Sequence, residues 1–191
     1  MTTGAILLAA GLSRRFGSIK LNALLPDGST LLEKTSRLLQ SNISEIIVVT
    51  RPALLDAGVL ANTGFTRQQI VVCPDADQGM GHSLAFGIRS LPAHWDACLV
   101  CLADMPFINA STLQQIHTRA SRDRILIPTY QQQRGHPVAF GRDFFTELTQ
   151  SRGDTGGRDV IKNHPDQLVL VELDDIGILQ DIDTPEDLPA C

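Results

Sequence analysis

The sequence predicts an α/β fold in three layers, Rossmann-like, with a mostly parallel central sheet. Three observations lead there. Short β-rich runs alternate with helical patterns along the chain. Several of those runs are apolar on both sides, as in central parallel strands covered by helices on both faces. The residues able to carry chemistry stand just after the runs, where ligands sit in open α/β sheets.

Strands are expected at 5–9, 46–50, 70–73, 97–103, 125–127, 138–140 and 168–173. The first two, Ala5-Ile-Leu-Leu-Ala9 and Ile46-Ile-Val-Val-Thr50, are short and almost wholly apolar. Helices are expected at about 30–41, 53–62, 81–91, 110–121, 142–151 and 157–163. Asn109, Ser111 and Thr112 are cap candidates for the helix near 110. The polar stretch 129–137 reads as a loop or hairpin turn. Thr184 followed by Pro185 and two acids reads as a helix start. A chain of 191 residues suits a single domain.

Composition narrows the function classes. With 43% hydrophobic and 19% charged residues the chain can bury a full core. A net charge of -5 with no basic block argues against nucleic acid as a partner, because phosphate neutralisation needs clustered Lys and Arg. No apolar run approaches the ~18 residues of a membrane span. The cysteines are Cys73, Cys98, Cys101 and Cys191. Cys98 and Cys101 are three apart on an expected strand, so their thiols face opposite ways and do not form a redox or zinc pair. Free thiols without a leader-like segment give a cytoplasmic expectation.

The first strand runs into Leu8-Ala-Ala-Gly-Leu-Ser-Arg-Arg-Phe-Gly-Ser-Ile-Lys20. Ala9, Ala10 and Gly11 let backbone approach a ligand closely, and successive N–H groups in such a turn make an anion nest. Arg14, Arg15 and Lys20 supply positive charge for phosphate oxygens. Neither a dinucleotide fingerprint nor a P-loop is present. Asp104, at the mouth of an apolar strand in Leu102-Ala-Asp-Met-Pro-Phe107, is costly unless solvated or bound to a cation. It suits Mg²⁺, which takes one or two carboxylates together with substrate phosphates. Gln78-Gly-Met-Gly-His-Ser-Leu84 opens a helix with free N–H groups that suit a phosphate or a base edge.

These segments resemble the MobA-like nucleotidyltransferases, the family of the molybdenum cofactor guanylyl- and cytidylyltransferases. The first loop is similar to L-A-A/G-G-x-x-x-R-M/F-G-x-x-K, matched at Ala9, Ala10, Gly11, Arg15 and Lys20. Gly79, Met80 and Ser83 match a G-M/L-x-x-S segment, leaving Gly81 and His82 at variable positions. L-A-D-M-P at 102–106, G-H-P at 135–137, G-D-x-G-x-R at 153–158 and D-I-D-T-P-E-D at 181–187 follow in the family's order.

The resemblance implies a nucleotidyltransferase fold, with a nucleotide-binding half at about 1–108 and an acceptor-binding half at about 109–191. Leu8, Ala9, Ala10, Gly11, Gly79 and Ser83 would bind the nucleotide, and Arg15 and Lys20 the triphosphate. Asp104 and one acid of the C-terminal motif, Asp183 rather than Asp181, would hold Mg²⁺. His136, Asp154 and Arg158 would face the acceptor, with Asp154 fixing its loop by an Asx-type turn. L-A-A-G rather than L-A-G-G favours CTP over GTP, the methyl of Ala10 narrowing the space for a purine. The acceptor implied is molybdenum-bound molybdopterin, and the client a xanthine dehydrogenase-like enzyme. Two other readings share these motifs: transfer to a sugar or alcohol phosphate, and a non-catalytic cofactor-binding chaperone.

Overall fold

The computed structural model describes residues 1–189; Cys191 lies outside them. Eight strands form one sheet: β1 (Thr3–Leu8), β2 (Ile46–Thr50), β3 (Ile70–Val72), β4 (Ala97–Leu102), β5 (Ile125–Tyr130), β6 (Gln133–Arg134), β7 (Val138–Gly141) and β8 (Leu168–Glu172). The order is β3-β2-β1-β4-β7-β5-β6, with β8 also paired to β5. β1 is parallel to β2 and β4, β2 to β3, and β5 to β8. β7 is antiparallel to both β4 and β5, and β6 is antiparallel to β5.

Helices cover both faces. Along β1, Ala5 and Leu7 point to one apolar cluster and Ile6 and Leu8 to the other. α1 (Leu31–Gln40) and α4 (Ala110–Arg119) complete the first with Leu32, Leu39, Leu113 and Ile116. α3 (Met80–Arg89), α5 (Phe145–Leu148) and α6 (Arg158–Asn163) complete the second with Leu84, Ile88, Leu148 and Val160. Each such side chain contributes about 1.5–3 kcal/mol on burial. Cys98 lies in the second cluster and Cys101 in the first, so the thiols do diverge. Burial pushes both thiols up, that of Cys101 to about 12.

Local signals explain the element ends. α1 starts on a capping box: Thr30 Oγ1 accepts from Glu33 N at 3.1 Å, and Glu33 Oε2 accepts from Thr30 N at 3.0 Å. The helix expected at 53–62 is only α2 (Pro52–Asp56), because Gly58 turns the chain at φ 67°. The helix expected at 142–151 splits into a 3-10 turn at Arg142–Phe144 and the single turn of α5. The stretch 129–137 is a hairpin between β5 and β6, turning through Gln131 and Gln132 in the left-handed region. Thr184-Pro185 starts a three-residue 3-10 turn rather than a longer helix.

α4 is capped from a distance. Asn109 makes no side-chain cap; instead buried Asp175 accepts from Asn109 N at 2.9 Å and from Thr112 Oγ1 at 2.6 Å. This ties the C-terminal segment to the end of the sheet where β1 and β4 finish.

Candidate active site

Four separated segments meet beyond the carboxyl ends of β1 and β4. The loop after β1 curls so that Ser13 Oγ accepts from Lys20 N at 3.2 Å, which turns Lys20 inward. Its ammonium lies 2.7 Å from Asp104 Oδ2 and 3.1 Å from Asp183 Oδ1. Arg15 reaches the other oxygen of Asp183 at 2.7 Å, from a side chain 72% exposed. Burial opposes the charge of Lys20, but Asp104 and then Asp183 outweigh it and hold the ammonium above its ordinary value.

Asp183 arrives by packing. Ile182 is buried against Leu25 and Leu31, with Phe16 and Phe107 packed on the same cluster. Ile182 N donates to Asp104 O at 3.0 Å, which fixes the two acidic segments side by side. Asp183 therefore meets Lys20, while Asp181 is exposed.

A cavity of about 420 Å³ opens above this group. Leu8, Ala9, Ala10, Gly11, Arg15, Lys20, Gly79, Ser83, Asp104 and Asp183 all line it. Arg14 does so too, although it stands outside the recurring pattern of the first loop. Gly79 is required where it stands. Its φ is 115°, and a Cβ there would lie 2.5 Å from Asp154 Oδ1 and from the Gly153 backbone.

A second cavity of about 550 Å³ shares Leu8, Met80 and Leu102 with the first. Its walls include Leu84, Val100, Ile127, Val138 and Phe140. Its polar lining includes Arg134, His136, Arg158 and Lys162. Arg134 and Lys162 lie outside the recurring segments; Lys162 stands four residues after Arg158 on α6, a spacing that shares a helix face. His136 Nδ1 is buried with no protein partner. Burial pushes its imidazole below the usual value, against a Val100 backbone contact and the fields of Asp104 and Asp181.

Asp154 differs from its expectation in two ways. It lines the first cavity, not the second. Its carboxylate makes no Asx turn with its own loop; Oδ1 accepts from Met80 N at 3.3 Å and so caps α3. The reason is the pair of glycines at 79 and 81, which let the 152–154 backbone press onto the first turn of that helix.

Among the described residues no group of three or more His, Cys, Asp or Glu is placed to hold a metal. Two carboxylates do converge on one cationic head, and their oxygens are the hard donors magnesium prefers. Such an ion takes few protein ligands and completes its shell with phosphate oxygens and water. The residues fit that group and do not fit a structural zinc.

Similarity to known proteins follows the same geometry. Residues 5–168 match the MobA-like NTP transferase domain. The chain is 29% identical over 191 residues to the purine catabolism protein PucB of Bacillus subtilis, covering 95% of this chain and 92% of that one. It is 28% identical to nicotine blue oxidoreductase of Paenarthrobacter nicotinovorans (96% and 93% covered). It is 27% identical to the molybdenum cofactor cytidylyltransferase of Escherichia coli (95% and 91% covered). Among solved structures, Rv0371c of Mycobacterium tuberculosis superposes with a TM-score of 0.86 at 24% identity, over 98% of this chain and 95% of that one. That likeness fixes the fold. The matched domain spans most of the sequence and carries the loop, the lysine and the strand-end aspartate described above, so the chain belongs to the MobA-like NTP transferase family.

Proposed function

We propose that this protein is a magnesium-dependent cytidylyltransferase that moves CMP from CTP to the terminal phosphate of molybdenum-bound molybdopterin and releases pyrophosphate. The observation that carries it is Lys20 held between Asp104 and Asp183 in a nucleotide-sized cavity that shares a wall with a second, cation-rimmed one. The first half of the chain builds most of the first cavity; the second half supplies the rim of the other.

An acceptor phosphate oxygen attacks the α-phosphorus, and the bond from that phosphorus to the pyrophosphate oxygen breaks. The chemistry is positioning and charge neutralisation. Arg15 and Lys20 bind the triphosphate, exchanging their present carboxylate partners for phosphate oxygens. Asp104 and Asp183 would hold Mg²⁺, which would supply positive charge to neutralise the phosphates. Arg158, with Arg134 and Lys162, holds the acceptor's phosphate side, and the apolar walls take its flat ring system. Ala10 lies in the wall of the first cavity, which supports a pyrimidine as the base. The client in this reading is a xanthine dehydrogenase-like enzyme, in keeping with relatives named for purine catabolism and for nicotine blue.

The test is pyrophosphate release from CTP, GTP and ATP with Mg²⁺ and purified molybdenum cofactor. Cofactor-dependent release from CTP alone is expected. Release with GTP alone would overturn the choice of base. Release driven by a sugar or alcohol phosphate instead would replace the acceptor. Tight cofactor binding with no release from any nucleotide would replace the transferase by a chaperone.

A further inference from the structure

The loop 152–157 joins the two cavities. Asp154 lines the first, and Thr155, Gly156, Gly157 and Arg158 line the second. It is docked on the first turn of α3 by three hydrogen bonds. Gly81 N donates to Gly153 O at 2.7 Å, Met80 N donates to Asp154 Oδ1 at 3.3 Å, and Gly153 N donates to His82 Nδ1 at 3.2 Å. The first bond is backbone alone and follows from the glycine at 81, where a Cβ would lie 2.6 Å from Arg152 O. The second uses a residue of the loop itself. His82 is the one side chain outside the loop among these three bonds. Accepting at Nδ1 requires that this nitrogen carry no proton.

We propose that His82 is a positioning residue: its Nδ1 clamps Gly153, and the clamp sets where Arg158 and its neighbours stand in the second cavity. This rests on the reading of that cavity as the acceptor site. His82 touches no reacting atom. It acts through the three residues between Gly153 and Gly157, a span too short to absorb a displaced anchor without moving the rim.

Three variants test it: His82→Leu removes the acceptor atom, His82→Asn offers an amide oxygen close to the place of Nδ1, and His82→Gln places that oxygen farther out. Two readouts are needed. Hydrogen exchange of the peptide carrying the Gly153 amide is read on the protein alone. Steady-state transfer is read at varied acceptor and varied nucleotide. The expected result for His82→Leu is faster exchange at 152–156 and an acceptor KM raised about tenfold, the weight of one hydrogen bond, with nucleotide KM and kcat much less affected. His82→Asn restores both, and His82→Gln falls between. The proposal is overturned if His82→Leu leaves exchange and acceptor KM unchanged, or if His82→Asn fails alongside it. A wild type without turnover defeats the transferase reading, while the exchange comparison still decides the clamp.

Discussion

The two cavities share Leu8, Met80 and Leu102, yet they handle charge in opposite ways. In the first, cations and carboxylates already satisfy one another: Arg15 with Asp183, and Lys20 with Asp183 and Asp104. In the second, Arg134, Arg158 and Lys162 line apolar walls and no carboxylate stands among the lining residues. A paired site can trade partners when a triphosphate and a cation arrive together, with little change in net charge. An unpaired cationic rim attracts an anion outright. The first arrangement suits metal-dependent transfer, and the second suits holding a phosphate-bearing acceptor.

Substitutions can break this contrast. The largest effect is expected from Asp104→Ala, which strips the paired site of one acid: transfer falls about a hundredfold or more, as for other charge-organising groups. The check is kcat/KM in the pyrophosphate assay, with cofactor binding to the second cavity retained. Next is the joint between the cavities. Gly79→Ala sets a Cβ 2.5 Å from Asp154 Oδ1 at a φ of 115° and is expected to cost about 1–3 kcal/mol in denaturant unfolding. Arg158→Ala acts on the unpaired side alone: acceptor KM rises about tenfold with nucleotide KM unchanged, the loss of one charge-assisted contact.

The smallest effect lies far from both cavities. Trp95 Nε1 donates to Glu45 Oε2 at 2.6 Å, and His94 Nε2 lies 2.8 Å from the same oxygen. The indole N–H, then His94, hold the Glu45 carboxyl below its ordinary value. A lowered value means the ionised carboxylate stabilises the fold above its unfolded pKa of 4.5, and that contribution is lost as pH falls through the folded value. Glu45→Gln is expected to flatten this acid-side loss slightly, read by thermal unfolding between pH 3 and 6, roughly the carboxylate range.

Much of this contrast could be read from the residues in order. The alternation of apolar runs placed the strands, and the loop after the first run pointed to Arg15 and Lys20. What escaped the sequence was long-range. Nothing near Asp183 says that Ile182 buries itself and binds Asp104 O, yet that contact is what brings Asp183, and not Asp181, beside Lys20. Asn109 looks like its own helix cap until Asp175, 66 residues away, takes the position. The resemblance puts Asp154 on the acceptor side, but it lines the first cavity, because two glycines on another element make room for it. Short elements escaped for a different reason: Gly58 and the single turn of α5 are settled by local φ and packing that periodicity does not register.

The most direct measurement is transfer of label from CTP carrying ³²P at the α position onto molybdenum cofactor, comparing wild type with Asp104→Ala. Labelled cofactor is expected with wild type and Mg²⁺, at least about a hundredfold less with the variant, and none from the γ-labelled nucleotide. Label released as free CMP, or label transferred equally by the variant, would contradict the proposed transfer.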